Sequence, residues 1–396
     1  MARPTLTLIA ALLLAAGMFG FFFGLWLPAS RRVMIREGLA GGFGYGNDFY
    51  QIWITSRELL TRRADAYSAD MQRQIEVGLY GRPLDRSLAG DATTPFRGDC
   101  YPLHASVLAI PLAPLPFRGV QIALSVFLPL AVIACVLLWC DVLRIRISGI
   151  ERVAIVLAAV SAIPVLEGIY ALQTSLVVAL LIPAAIFLAR RGQLFFAGAL
   201  LAIATVKPQL ILLLMAWLAV WSLSSWKERK PLLMGFVVTS SVLLGITTWL
   251  SPGWFAGWMH SVHEYRQICP PPLAEFVLGR AWGIAVSAML VGGAAVVGWR
   301  ERHESADSDG FVLATVLVIA VTVLVLPSTV AVYDQFLLFP AVVWLGMRRK
   351  GFWSRAPLRW LAGITAAALG WQWLAASVIV ILSLVAPEIV RRPGAC

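Results

Sequence analysis

Apolar runs long enough to cross a membrane recur along the whole chain, separated by short polar breaks, at residues 5–27, 120–143, 153–166, 174–188, 194–223, 232–250, 281–297, 311–326, 336–347 and 358–385. An apolar helix of roughly 20 residues spans a hydrocarbon core of about 30 Å. The pattern therefore predicts an all-α, polytopic integral membrane protein with roughly ten to twelve transmembrane helices. Lys207–Pro208 interrupts the run 194–223, which is expected to form two shorter helices. The first run is longer than the ~7–15 residues of a signal-peptide core and no small-residue cleavage site follows, so it reads as a retained anchor.

Between the first run and residue 100 lies the one long polar segment, 28–100, expected to stay outside the bilayer. Within it, 48–61 (Phe49, Ile52, Trp53, Leu59, Leu60) and 65–80 (Met71, Ile75, Leu79, Tyr80) space their apolar residues as short amphipathic helices lying along the interface. Residues 81–98, rich in Gly, Pro, Arg and Asp, read as open loop. Residues 100–116 (CYPLHASVLAIPLAPLP) are apolar but broken by four prolines, and either span or dip in and return.

Composition closes off other classes. With 396 residues, 60% hydrophobic, 13% charged and a mean hydropathy of +0.81, residues 1–396 form a single membrane domain with no room for a soluble one. The net charge of +11 does not indicate nucleic acid. Its basic residues cluster in short breaks (Arg144, Arg146 and Arg152; Arg190–Arg191; 227–230; 348–350; Arg391–Arg392), as cytoplasmic loops do and as anionic lipid head groups favour. Placing those clusters inside puts 167–173, Lys207, 251–280 and 327–335 at the outer face, whereas a cytoplasmic turn at Pro116 would invert several of them. Cys135 and Cys140 read as packed thiols. Cys100 and Cys269, both in outer segments, either pair as a disulfide or remain thiols.

Isolated charges near membrane depth are costly and mark function. Asp48 stands in 41–53 (GGFGYGNDFYQIW) among Tyr45, Phe49, Tyr50 and Trp53, with no basic residue in the stretch, which suits a base working on a lipid-linked substrate. Lys207, before Pro208 at a helix start, either holds a phosphate or snorkels to the interface. Asp334, within Tyr333–Asp334–Gln335, reads first as a helix cap, and otherwise as a sugar-hydroxyl acceptor or a partner for Lys207. Gln173 opens a helix after Tyr170. His104, behind Tyr101, either meets a phosphate or is a buried hydrogen-bonded histidine. Glu167 is a further isolated charge. His260 and His263 share a helix face beside Glu264 but lack a third metal ligand. Nucleotide-binding, HExxH and GxSxG signatures are missing from the sequence.

NDFYQIW, CYPLHASVLAIPLAPLP, YALQTSLVVALLIPAAIFLARRGQLFFAGALLAIATVKPQ and PSTVAVYDQFLLFPAVVWL occur in that order. Together they resemble glycosyltransferase family 87 of the GT-C superfamily over about residues 1–350. The resemblance implies GT-C architecture in the inner membrane. It implies inverting transfer of a hexose, mannose in known members, from a polyprenyl-phosphate donor to a hydroxyl of a lipid or glycan acceptor at the outer face. It assigns Asp48 as general base; beside it, the chemistry of the residues themselves makes Lys207 and His104 candidates for the donor phosphate and Tyr101, Gln173, Tyr333, Asp334 and Gln335 candidates for substrate binding. Asn47 stands where many relatives carry a second acidic residue, and Leu172–Gln173–Thr174 where the family has a Gly-Gln-Asn-like element. No cofactor and no metal are expected. A lipid-linked-saccharide flippase would move substrate without cleaving it and would show an internal repeat, which the sequence lacks. A non-catalytic scaffold would hold Asp48 and Lys207 far apart.

Overall fold

The computed structural model describes residues 3–36, 44–61, 65–85, 87, 91, 100–327 and 331–347. The run 358–385 and the basic clusters at 348–350 and 391–392 lie outside the described residues. Helices make up almost all of the described chain, and no strand forms among the described residues. α1 (Arg3–Phe21) passes through a π-helical turn into α2 (Leu27–Arg36), followed by α3 (Asn47–Thr61), α4 (Ala69–Tyr80) and the single turn α5 (His104–Leu108). Next come α6 (Phe117–Val142), α7 (Gly149–Val160), α8 (Ile163–Ala171), α9 (Thr174–Arg190), α10 (Leu194–Ile203) and α11 (Pro208–Ser224). The chain continues through α12 (Trp226–Leu250), α13 (Trp254–Ile268), α14 (Leu273–Leu278), α15 (Arg280–Glu301), α16 (Asp309–Val325), a 3-10 segment (Val332–Leu338) and α17 (Phe339–Met347).

Four helical stretches are long and apolar enough to cross a membrane: Thr5–Val33, Phe117–Val142, Trp226–Leu250 and Arg280–Glu301. The pair α7–α8, bent by 57°, makes a fifth. Their outer faces carry exposed apolar side chains such as Leu13, Ile122, Val237 and Met289, as lipid contact requires. Five other apolar helices have only 10–17 residues, too short at 1.5 Å per residue to cross alone. Full-length spans among the described residues are therefore fewer than the ten to twelve the apolar runs suggest. The physical reason is that several runs break at polar turns sheltered by protein, where irregular backbone costs little. The split at Lys207 is one of these, with α10 ending in a 3-10 turn and α11 beginning at Pro208. The core is α16, whose side chains from Phe311 to Val325 are all buried. Its Thr315 and Thr322 hydroxyls donate back to the carbonyls of Phe311 and Val318 at 2.8 Å, so no polar group is stranded there.

The helices alternate between two ends. At one end, Arg190 donates to the carbonyls of Asp141 and Val142, and pairs with Asp307 at 2.8 Å. Arg144 also reaches Asp307. There too the buried Arg229 guanidinium lies over the Trp221 ring and donates to the carbonyls of Trp221, Arg302, His303 and Glu304. It caps the end of α15 and offsets that helix's C-terminal partial charge. The opposite end gathers residues 167–173, Lys207, 251–280 and 331–335. Residues 101–116 leave and return at this second end: Tyr101 meets Gln173, and the Leu115 carbonyl accepts from Trp53 Nε1 just before Phe117 packs on Tyr50. The segment therefore dips rather than spans, and Pro116 does not turn at the basic end.

The segment before Cys100 differs from its expectation in two ways. α4 is amphipathic as its pattern predicts, burying Met71, Ile75, Leu79 and Tyr80. α3, however, buries Asn47, Asp48, Gln51, Thr55, Ser56 and Glu58 as well as its apolar face, because α4 covers one side and α5 and α8 the other. It is an internal helix, not one lying on an interface. Nor is 81–98 wholly open loop: Asp91 is buried and takes both guanidinium nitrogens of Arg82. Cys135 and Cys140 are packed thiols, and neither Cys100 nor Cys269 is in a disulfide.

α10 and α12 pack backbone to backbone through Gly198 and Gly235: a Cβ on Gly198 would lie 1.9 Å from the Leu232 carbonyl oxygen. Small residues at such crossings allow close packing where the surroundings offer no hydrophobic drive. Gly198→Val must push the two helices apart. It is expected to destabilise the protein by at least about 1–3 kcal/mol, seen as a lower melting temperature in detergent, and a wild-type melting temperature would show that the crossing is slack.

Candidate active site

The backbone that presents Asp48 is set by two left-handed residues. Gly46 (φ +82) starts α3 and donates its N–H to the Tyr170 carbonyl at the end of α8 (2.8 Å). Leu172 ends α8 at φ 54, ψ 49, a conformation costing a non-glycine residue roughly 1–2 kcal/mol. Its buried side chain fills the space beside Gly46, where a Cβ would lie 2.7 Å from Leu172 Cδ1. Packing of this side chain offsets the backbone strain. The turn then aims Gln173, whose Nε2 donates to Asp48 Oδ2.

Asp48 sits in the first turn of α3, 3% exposed. Its Oδ1 is buried with no hydrogen-bond partner. Burial pushes its pKa up from the ordinary carboxylate value to about 6; the Lys207 charge and hydrogen bonding by Gln173 and Tyr333 pull it back, and Asp334 pushes it up again. The carboxylate is thus ionised at neutral pH yet far more basic than a surface aspartate.

Around it stand most of the side chains singled out from sequence. Tyr101 Oη donates to Gln173 Oε1 at 3.3 Å. The Lys207 ammonium is buried, pairs with Asp334 at 3.2 Å, donates to Ser175 Oγ at 2.7 Å and lies 4.5 Å from the Tyr333 ring centre. Ser175 in turn donates to Asp334. Asp334 is therefore the partner of Lys207, not a helix cap, because the 3-10 segment starts before it and turns its carboxylate inward. Lys207 does not snorkel outwards. Gln335 is buried, with Oε1 unpartnered. His104 stands apart: it is buried and hydrogen-bonds Thr205, two residues before Lys207. His260 faces Glu264 and His263 faces Gln267, so the two histidines engage different neighbours.

Three side chains join the site without a clear sequence signal, and Glu167, an isolated charge in the sequence, stands with them. Ser175 is an ordinary residue of a helix start. Burial and, to a lesser degree, the charge of Asp48 keep the phenol of Tyr265 on α13 protonated. Arg31 of α2 donates to Tyr170 Oη at 2.8 Å, which brings a guanidinium to the edge of the α8–α3 junction. Glu167 of α8 stands close enough to Asp48 and Asp334 to sense both charges.

The group at Asp48 is a raised-pKa carboxylate with a bare lone-pair face, a neighbouring buried ammonium and a rim of phenols. It can take a proton from a hydroxyl and hold charge that develops nearby. A family model described as Glycosyltransferase family 87 matches residues 100–327, more than half of the chain. The match takes in Tyr101, His104, Gln173 and Lys207 and leaves Asp48 and 333–335 outside it, a narrower span than residues 1–350. Neither curated proteins nor solved structures give a match.

Since the folded pKa of Asp48 is raised, its neutral form contributes stability that is complete below pH ~4 and lost as pH rises through about 6. Asp48→Asn is therefore expected to raise the melting temperature at pH 7.5, by an amount equivalent to roughly 3 kcal/mol, and to lose that advantage near pH 4.5. A pH-independent difference would show that the carboxylate is not held in a desolvated place.

Proposed function

The chain belongs to glycosyltransferase family 87 and is a membrane glycosyltransferase with a sugar donor and an acceptor; on that premise we propose an inverting hexosyl transfer from a polyprenyl-phosphate donor to an acceptor hydroxyl. In this reading the acceptor is a lipid or glycan, the hexose is mannose by family likeness, and the fold is of GT-C type. The site end faces the outer side of the inner membrane, since the basic clusters lie at the other end.

Asp48 is the general base. The acceptor oxygen forms its bond to the anomeric carbon as the bond from that carbon to the phosphate oxygen breaks. The electron pair leaves with the phosphate, and the acceptor proton passes to Asp48 Oδ1. A single displacement inverts the anomeric centre. The base contributes typically 10²–10⁴-fold. The leaving phosphate departs as a stable anion and needs a cation rather than an acid, so one carboxylate suffices, unlike the pair used by most glycosidases. Lys207 supplies positive charge close to Asp48. Asp334 already offsets part of it, and Arg31, exposed beside Tyr170, is suited to meet the rest of the phosphate charge. Gln173, Tyr101 and Tyr333 hold Asp48 and the substrates in register.

The observation that carries this reading is the buried, unpartnered Oδ1 of a carboxylate with a pKa of about 6. A scaffold has no use for such a group. A flippase remains distinguishable because it leaves the sugar–phosphate bond intact.

Purified protein given polyprenyl-phospho-hexoses and membrane lipids should yield glycosylated lipid and free polyprenyl phosphate, read by mass. Asp48→Asn should fold and lose at least about 10²-fold in turnover; wild-type turnover in that variant would remove Asp48 as base. The acid limb of kcat/KM should fall near pH 6 rather than near pH 4, because protonating Asp48 removes the base.

A further inference from the structure

The polar atoms around Asp48 do not balance. Most nearby donors are already engaged: Gln173 Nε2 on Asp48, Lys207 Nζ on Ser175 and Asp334, Tyr101 Oη on Gln173, Ser175 Oγ on Asp334 and the Tyr333 phenol on Asp48, with the Thr174 hydroxyl left unpartnered. The acceptors are in surplus. Asp48 Oδ1, Glu167 Oε2 and Gln335 Oε1 are all buried with no hydrogen-bond partner. Asp48 and Gln335 are both more than nine-tenths buried, at 3% and 8% exposure. Glu167 lies on α8, which packs directly on the 3-10 segment holding Asp334 and Gln335.

Each buried acceptor left without a donor costs about 1–3 kcal/mol, and more when it is charged. Three such acceptors, one of them on Asp48 itself, are consistent with a ligand that brings donors of its own. A sugar ring fits that requirement, because each hydroxyl can donate a hydrogen bond. On the transfer reading above, Asp48 Oδ1 faces the acceptor hydroxyl. The anomeric carbon must then lie about 3–3.5 Å from that hydroxyl's oxygen. The ring being transferred is thus held against whatever surrounds Asp48, and the α8 and 3-10 wall supplies Glu167 and Gln335.

We propose that Glu167, assisted by Gln335, is a substrate-binding residue that accepts a hydrogen bond from a ring hydroxyl of the transferred sugar and so sets donor specificity. This rests on the glycosyl-transfer reading. A site that hydrogen-bonds a substrate hydroxyl rejects the analogue lacking it more strongly than a hydrophobic pocket rejects a missing methylene, because its own acceptor is left bare. Leaving a buried polar group of the site without its partner costs about 1–3 kcal/mol, or roughly 10–100-fold.

The test uses the full-length protein in detergent or nanodiscs with polyprenyl-phospho-hexose and its set of monodeoxy analogues, measuring kcat/KM for wild type, Glu167→Gln and Glu167→Met. Wild type should disfavour at least one deoxy donor by about 10-fold or more. In Glu167→Met the parent donor should fall to the level of that deoxy donor, which itself should change little. Glu167→Gln keeps one acceptor oxygen, so it should fall between the two, with a melting temperature near wild type. If Glu167→Met does not fold, the narrowed preference in Glu167→Gln decides. An equal loss on every donor, an unchanged preference, or activity that tracks added divalent metal would overturn the assignment. No product from wild type with any donor would instead overturn the transfer reading itself.

Discussion

The structure depends on the buried pair of Lys207 and Asp334. An ammonium and a carboxylate in a low-dielectric interior each carry a desolvation cost of several kcal/mol, and neither is tolerated alone. Together, with Ser175 between them, they bind three places distant in sequence: the break between α10 and α11, the start of α9 and the 3-10 segment after α16. All three are points where a helix is interrupted, and an interrupted helix inside a membrane protein needs such a partner to satisfy its loose ends. The short apolar helices follow from this constraint. They stop at the depth of the pair instead of crossing.

That pair also sets the electrostatics of Asp48. Lys207 stabilises the ionised form of Asp48, but Asp334 has first claim on the ammonium and itself repels a second carboxylate. Burial raises the Asp48 pKa most, and the Lys207 charge pulls it part of the way back, leaving it at about 6. The clip from Gly46 to Tyr170 and the strained turn at Leu172 keep Gln173 aimed at Oδ2, which leaves Oδ1 for substrate.

The fold class, the split at Lys207 and the gathering of Asp48, Tyr101, Gln173, Lys207 and Tyr333 were legible in the sequence. Isolated polar residues in an apolar chain have few places to go except toward each other. What was not legible has specific causes. The burial of both faces of α3 depends on α4, α5 and α8 closing over it, and its polar face reads from sequence like an ordinary wet one. Asp334 before an apolar run has the appearance of a cap, and only the 3-10 geometry turns it onto Lys207. Ser175, Arg31 and Tyr265 enter through tertiary contacts with no local pattern. Run lengths alone overstated the number of full spans, because an apolar run buried in protein looks the same as one facing lipid.

The two ends of the bundle divide the work. At the basic end every buried charge is consumed: Arg229 is capped by four carbonyls, and Arg190 is shared between Asp307 and the end of α6. At the site end the accounts stay open, with Oδ1 of Asp48, Oε2 of Glu167 and Oε1 of Gln335 all lacking donors. A folded chain keeps such costs where selection acts on something other than stability. The asymmetry runs along single helices: α9, 17 residues long, begins beside Asp48 and ends at Arg190. One helix thus carries the satisfied anchor at one end and the unsatisfied site at the other.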